Sequence, residues 1–151
     1  MIHPNSSILL TDLYMLTMLE AFQKQSMNGI ASYEFFVRRL PENRGFLVAA
    51  GLEQALEYLA NARFTSEELE WLRHNGKFSA EFIDHLSSWR FTGDVDAMPE
   101  GTVFFANEPI LRVTAPVQQA QLVESRLINL LNLQTMIASK ASMISPRFST
   151  A

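Results

Sequence analysis

The sequence contains no cysteine, and this absence removes several kinds of site at once. Disulfide bonds, thiolate nucleophiles and cysteine-ligated zinc are all excluded for a chain without thiols. Histidine is also scarce, and the three residues His3, His74 and His85 show no spacing typical of a metal site. A chain without disulfides is compatible with a reducing compartment, and we expect a cytoplasmic protein.

Strong charge and long hydrophobic runs are missing as well. The net charge of −4 is spread along 151 residues, so an extended nucleic-acid surface is not expected. The amino terminus lacks the basic and apolar regions of a signal peptide. Residues 127–139, the longest uncharged stretch of the helical tail, are too few for a membrane span, which needs roughly 20 residues. We therefore expect a soluble protein that binds neither nucleic acid nor membrane.

Helical patterns recur through the first 91 residues. The predicted helices lie at 12–25, at 46–63 after Gly45, within 64–76 and within 79–91. Their expected N-caps include Thr11, Ser79 and Thr65, and Thr65 forms a capping box with Glu68. Four large apolar residues are expected to pack on one another: Trp71, Phe82, Leu86 and Trp89.

Strand patterns fall in two regions. Residues 30–41 are rich in β-branched and aromatic side chains and alternate between an apolar and a mixed face. Residues 91–116 contain four turn signals, which favour short strands at 94–98, 102–106 and 110–115 in one small antiparallel unit. Together with the helices, these strands predict an α+β fold.

The tail, residues 117–144, is predicted to be one long helix. It has no charged residue between Arg126 and Lys140, so we expect it to be buried on most sides. A polar stripe on this helix should meet the backbone of another element; its members are Ser125, Asn129, Asn132 and Ser139. A helix that is apolar all round needs more neighbours than 151 residues supply, which predicts that the chain is a fragment.

No local catalytic motif is present: the sequence lacks a glycine-rich phosphate loop, G-x-S-x-G and H-E-x-x-H. The remaining candidates are scattered, and each has a structural alternative. Arg38 and Arg39 are either a phosphate clamp or solvated charge at a strand end. Lys140 either extends to solvent or meets an anion. Tyr14, close to Asp12 at a helix start, is either a core aromatic or a ring held out for stacking.

Four blocks of the sequence resemble the nicotinate phosphoribosyltransferase family, in the family's order and spacing. They are LTDLYMLTM (10–18), YEFFVRRLPENRGFLVAAGLEQALEYL (33–59), RFTGDVDAMPEGTVFFANEPILRV (90–113) and QLVESRLINLLNLQTMIASKAS (121–142). The match covers nearly the whole chain up to about Ile144. Members of the family are far longer, which agrees with the prediction of a fragment.

The resemblance implies an activity and a fold. The family couples nicotinate to 5-phosphoribosyl 1-diphosphate, giving nicotinate mononucleotide and diphosphate, with ATP hydrolysis and magnesium, in NAD salvage. Its fold is an amino-terminal α/β sandwich followed by an irregular α/β barrel. Here residues 1–116 would form the sandwich domain and residues 117–151 the start of a truncated barrel. Active sites shared between the subunits of a homodimer are expected.

The resemblance also implies roles for individual residues. Tyr14 matches the tyrosine that stacks on the pyridine ring across the dimer interface, and Asp12 would line the same pocket. Arg38 resembles an arginine that reaches the phosphoribosyl diphosphate of the neighbouring subunit, and Arg39 is the weaker choice. Lys140 matches a position near the active-site end of the barrel.

The chain also departs from the family pattern. The catalytic histidine and the barrel residues that bind phosphate and carboxylate lie beyond the matching blocks, and His74 and His85 do not match that histidine. The closing segment SPRFSTA does not resemble the family's continuation. These 151 residues alone are therefore not expected to form nicotinate mononucleotide.

Three alternatives stay open. A nicotinamide-specific relative would share these blocks, because the choice between acid and amide depends on barrel residues. A non-catalytic domain that dimerises through an exposed helix is also possible. A biotinyl or lipoyl carrier resembles residues 93–113, but it needs a hairpin lysine, and no lysine lies between Lys77 and Lys140.

Overall fold

The computed structural model describes residues 7–144, so His3 and the closing SPRFSTA lie outside the described range. Its elements, in chain order, are α1 (Leu13–Lys24), β1 (Ile30–Phe36), β2 (Leu47–Val48), α2 (Leu52–Asn61), α3 (Ser66–Asn75), α4 (Ala80–Ser87), β3 (Asp94–Ala97), β4 (Val103–Phe104), β5 (Pro109–Pro116) and α5 (Val117–Ile144). This mixture of helices and antiparallel strands confirms the predicted α+β class. The proposed domain boundary falls where β5 passes directly into α5, and it stays a prediction.

The strands form two separate antiparallel sheets. In the larger sheet β5 lies between β1 and β3, and Val113 faces both Tyr33 of β1 and Val95 of β3. The smaller sheet pairs β2 with β4. The prediction that β4 belongs with β3 and β5 is therefore wrong. After β3 the chain turns at Gly101, whose φ is +81°. Ala49 binds this turn twice, because its N–H donates to the Thr102 carbonyl and its carbonyl accepts from the N–H of Gly101.

The second helix begins later than predicted. Leu47 and Val48 form β2, and α2 begins at Leu52 after Gly51, whose φ of +101° is incompatible with a right-handed helix. The carboxylate of Glu100 accepts hydrogen bonds from the N–H groups of Gly51 at 2.9 Å and Leu52 at 2.6 Å. An acid from a distant turn thus satisfies the free amides of this helix start.

Of the three predicted N-caps, two are confirmed and one is wrong. Both bonds of the Thr65–Glu68 capping box are present, and Ser79 accepts from the N–H of Phe82. At α1 the N-cap is Asp12. The predicted cap, Thr11, instead has a buried hydroxyl that pairs with no described atom.

The main core lies between the larger sheet, α5 and helices α1 to α4. Trp71 does not join this core, because the residue is 56% exposed. The prediction that Trp71 packs with Phe82, Leu86 and Trp89 is therefore wrong. Trp89 packs edge-to-face on Phe64, with ring centroids 6.2 Å apart. A smaller cluster beneath the second sheet contains Leu47, Ala49, Phe104 and Ile110.

Helix α5 has the predicted bounds but not the predicted burial. Leu133 and Ile137 are 62% and 60% exposed, so one side of its carboxyl-terminal half is open to solvent. Part of the polar stripe behaves as expected, because Ser139 accepts a hydrogen bond from the N–H of Val48 at 2.8 Å. Asn129 and Asn132 are exposed instead. Among residues 7–144, no helix combines the length and apolar character that crossing a bilayer requires.

Candidate functional site

Tyr14 stands in the first turn of α1 with 52% of its surface exposed. The neighbouring residues Met15 and Leu16 point into the core and fix that side of the helix. Because of this helical spacing, Tyr14 lies on the outer side with Leu13 and Met18, which are also exposed. The ring is therefore available to a ligand or to another chain, and it is not the core aromatic of the structural alternative.

Asp12 lies immediately before α1 and is bound by another helix. Although it is the N-cap residue, its side chain makes no capping hydrogen bond to α1. Its carboxylate Oδ2 accepts a hydrogen bond from the Ser125 hydroxyl of α5, with the oxygens 2.8 Å apart. The start of α1 is therefore attached to the middle of α5.

Ser125 belongs to a line of three polar residues that we call the α5 polar row: Gln118, Gln121 and Ser125. The Gln118 amide donates to the carbonyl of Met27, just beyond the end of α1. The Gln121 amide contacts the sulfur of Met15 and accepts from the Tyr33 hydroxyl of β1 at 2.9 Å. The row contacts α1 beyond its end, within its first turns and at its N-cap, and it also contacts β1.

Glu124 adds a second carboxylate to this region. Burial, followed by the negative charge of Asp12, raises the pKa of Glu124 above its ordinary value. Partial desolvation, then the charges of Glu124 and Asp12, likewise raise the pKa of Tyr14. The tyrosine is therefore a neutral phenol at physiological pH, in a region of negative potential.

An open cavity of about 320 Å³ lies beside Glu124. It is bounded by β1, β5 and α5, and its lining is mainly apolar with Arg38 and Glu124 among the charged groups. Arg38 follows the end of β1 and is exposed, so its guanidinium is free to bind an anion. Tyr14 and Asp12 thus lie near Glu124, and Arg38 lines the cavity that Glu124 also lines, although these residues are distant in sequence.

The structure does not bring Lys140 to this region. Lys140 is exposed on α5, fifteen residues after Ser125, which corresponds to about 22 Å along a helix. Arg39 is also exposed but does not line the cavity. Of the four predicted site residues, three therefore share one region and Lys140 lies apart from them.

Sequence reasoning missed Glu124 as a member of this region. The available signal was the only carboxylate within residues 117–144, directly before Ser125. No metal site is found among residues 7–144, where no three histidine or acidic residues come together. His74 contacts the carbonyl of Glu70 within its own helix, at 2.9 Å.

Comparison with known proteins gives consistent matches. A family model described as the nicotinate phosphoribosyltransferase (NAPRTase) N-terminal domain matches residues 9–132. The nicotinate phosphoribosyltransferase pncB2 of Mycobacterium tuberculosis is 47% identical over 136 residues, which cover 90% of this chain and 29% of that protein. The nicotinate phosphoribosyltransferase of Bacillus subtilis is 44% identical over 135 residues, covering 89% and 28% respectively.

Solved structures show the same fold. The human nicotinic acid phosphoribosyltransferase superposes with a TM-score of 0.80 and 30% identity, over 88% of this chain and 27% of that one. The nicotinate-nucleotide pyrophosphorylase of Pyrococcus furiosus has a TM-score of 0.62 at 20% identity, a likeness of fold alone. The chain spans less than a third of the length of the relatives it matches.

Proposed function

The chain belongs to the nicotinate phosphoribosyltransferase N-terminal domain family, and we propose that it contributes the ring-binding part of an active site for nicotinate. In the proposed reaction, the bond between ribose C1 and diphosphate breaks, and C1 bonds to the pyridine nitrogen of nicotinate. Diphosphate leaves with the electron pair of the broken bond, and the product is nicotinate mononucleotide. The observation that carries the proposal is the exposed Tyr14 ring beside Asp12 and near the cavity that Arg38 lines.

The aromatic face of Tyr14 suits a flat heteroaromatic acid. A tyrosine offers a large, stiff contact surface at small entropic cost, and half of this one is available. The hydroxyl is not needed for stacking. We therefore assign the ring rather than the phenol oxygen to recognition of the pyridine.

The charges around Tyr14 favour the product side of the reaction. When the pyridine nitrogen bonds to ribose, it acquires a positive charge. An aromatic face attracts cations, and the Asp12 and Glu124 carboxylates add negative potential to the same region. These groups would stabilise the positive charge as it develops.

Arg38 would bind phosphate oxygens of 5-phosphoribosyl 1-diphosphate, because its exposed guanidinium fork matches their geometry. Lys140, about 22 Å along α5 from Ser125, would not reach the same substrate molecule. We propose that Tyr14, Asp12 and Arg38 serve the site of a partner subunit, whereas Lys140 serves the site of its own. A cytoplasmic homodimer accommodates both placements.

ATP and magnesium enter this proposal through the family alone. They would drive the coupling by ATP hydrolysis, but none of Tyr14, Asp12, Arg38 and Lys140 is assigned to them. The proposal for this chain concerns binding and orientation of the ring and of the phosphates.

A non-catalytic dimerising domain is the second candidate function. The observation in its favour is the exposed apolar side of α1, formed by Leu13, Tyr14 and Met18. In that case Tyr14 would bury its ring against a second copy and would have no preference for a pyridine acid. A nicotinamide-specific relative would keep the stacking role and differ only in the acid group of the substrate.

A hybrid enzyme tests the proposal. Residues 9–144 of this chain replace the matching segment of the Bacillus subtilis relative, and formation of nicotinate mononucleotide is followed with nicotinate varied. We expect the hybrid to be active and Tyr14→Ala to raise the KM for nicotinate about 5- to 30-fold, because stacking on one ring contributes about 1–2 kcal/mol. The matched control Tyr14→Phe keeps the ring and should stay within about twofold of the hybrid.

Two results would contradict the proposal. One is a folded, dimeric hybrid without activity, and the other is a Tyr14→Ala hybrid with an unchanged KM. The 151-residue chain assayed alone should give no nicotinate mononucleotide. Turnover by this chain would contradict the proposal that its own residues bind the substrates and do not catalyse the reaction.

A further inference from the structure

The attachment between Asp12 and Ser125 is unusual for a helix start. An N-cap aspartate ordinarily accepts a hydrogen bond from its own helix, which stabilises the first turn. Here the Asp12 side chain makes no such bond and instead binds the Ser125 hydroxyl at 2.8 Å. The orientation of the first turn of α1 therefore depends on α5.

The rest of the α5 polar row explains why this single bond matters. Gln118, Gln121 and Ser125 are spaced at i, i+3 and i+7, so they lie along one side of α5. Their contacts with α1 run in the opposite chain direction, which makes the two helices antiparallel. The row therefore fixes α1 at intervals along its length, and Ser125 is the member that fixes the end carrying Tyr14.

From these contacts we infer that Ser125 is a positioning residue for the Tyr14 ring, a role that rests on the proposed function. Tyr14 follows Asp12 by two residues, so the Ser125–Asp12 bond lies within the same turn as the ring. When that bond is absent, the first turn of α1 loses its attachment to α5 and the ring adopts several orientations. Fewer molecules then present the ring correctly, and the affinity for the pyridine acid falls in proportion.

Removal of the Ser125 hydroxyl should leave the fold intact. Ser125 is only half-buried, and the core residues Met15 and Leu16 hold α1 without it. Alanine is also the strongest helix former, so Ser125→Ala does not weaken α5 itself. A purely structural role therefore predicts no selective effect of this substitution on the KM for nicotinate or on the Tyr14 ring.

The first experiment uses the 151-residue chain with its tyrosine rings labelled for NMR. The three tyrosines provide internal controls, because Tyr33 is bonded to Gln121 and not to Ser125. In Ser125→Ala, we expect the Tyr14 signal to move and broaden while that of Tyr33 stays unchanged. Ser125→Thr keeps the hydroxyl and should preserve the Tyr14 signal. An unchanged Tyr14 signal in Ser125→Ala would overturn the inference.

The second experiment uses the hybrid enzyme. We expect Ser125→Ala to raise the KM for nicotinate about fivefold, the range of one charge-assisted hydrogen bond at a partly exposed position. Its kcat should change less than about twofold, since the chemistry after binding is untouched. Ser125→Thr should restore the KM. The matched control Gln118→Ala alters the distant end of the same row and should leave the KM unchanged.

The outcomes separate the inference from the proposed function. If Tyr14→Ala raises the KM and Ser125→Ala does not, the positioning role fails and the function stands. Should Ser125→Ala and Gln118→Ala lower kcat and stability alike, the row is merely structural and the inference also fails. An unchanged KM in Tyr14→Ala contradicts the proposed function itself.

Discussion

The two halves of α5 have similar apolar content and very different surroundings. The amino-terminal half lies between the larger sheet and α1, and six of its residues are buried: Gln118, Ala120, Gln121, Leu122, Val123 and Leu127. In the carboxyl-terminal half only Leu131, Thr135 and Ser139 are buried. These three residues are spaced by four, so they form one narrow line of contact.

The difference shows that neighbours, and not hydrophobic content, decide how a helix is buried. In the second half, Ser139 binds the backbone of Val48 in β2, and Thr135 binds that of Ala50 between β2 and α2. Such close approach requires small side chains. Gly51 illustrates this, because an added Cβ would lie 3.0 Å from the Leu130 carbonyl. The opposite side of this half has no described neighbour and keeps its apolar residues in solvent.

The largest expected difference between the halves is in cavity formation. Leu122 is fully buried and Leu133 is 62% exposed, so the same truncation tests both environments. We expect Leu122→Ala to lower the free energy of unfolding by about 3 kcal/mol, and Leu133→Ala to change it by less than about 0.5 kcal/mol. Urea unfolding of the 151-residue chain, followed by circular dichroism, measures both. Equal costs would show that the second half is covered in solution.

Loss of a buried polar contact should have the next largest effect. The Thr135 hydroxyl accepts from the N–H of Ala50 at 3.3 Å and donates to the carbonyl of the same residue at 3.2 Å. Thr135→Val keeps the shape and leaves both backbone groups without this partner. We expect a loss of about 1–2 kcal/mol of unfolding free energy.

The control for that substitution is Ser142→Ala. Among the described residues, Ser142 binds only a carbonyl of its own helix, that of Ser139, so its loss should cost less than about 0.5 kcal/mol. If both variants have the same stability, the line of contact formed by Leu131, Thr135 and Ser139 is stabilised by packing alone. That result would contradict a stabilising role for the Thr135 hydrogen bonds.

Local signals in the sequence predicted most of the helices and strands. The α5 bounds, the Thr65 capping box and the Ser79 cap each depend on a few consecutive residues, and the structure confirms them. The predictions that failed needed information from distant parts of the chain. The α2 start depends on Glu100, which lies 48 residues after Leu52, and the pairing of β4 depends on β2. No periodicity within one segment contains those contacts.

The same distinction applies to the candidate site. The family resemblance identified Tyr14, Asp12 and Arg38, because their motifs are local in sequence. It did not identify Glu124, whose place in the site comes from the packing of α5 between β1 and α1. The exposure of Tyr14 likewise follows from which neighbours cover the inner side of α1. The candidate residues were therefore accessible from sequence, whereas their relation to one another required the fold.

The smallest expected effect concerns the charge of Glu124, in the amino-terminal half of α5. Burial and the Asp12 charge raise the pKa of Glu124 in the folded chain above its ordinary value of 4.5. Ionisation is therefore less favourable in the folded state, so Glu124 lowers stability as the pH rises through its folded pKa.

Solvent reaches this side chain, and we expect Glu124→Gln to stabilise the chain by no more than about 0.5 kcal/mol at pH 7. The gain should vanish below pH 4.5, where the carboxyl is protonated in both states. Urea unfolding between pH 4 and pH 8 measures the difference, and parallel curves across that range would contradict it. The same variant should lower the pKa of Tyr14 toward its ordinary value, because one of its two neighbouring charges is gone.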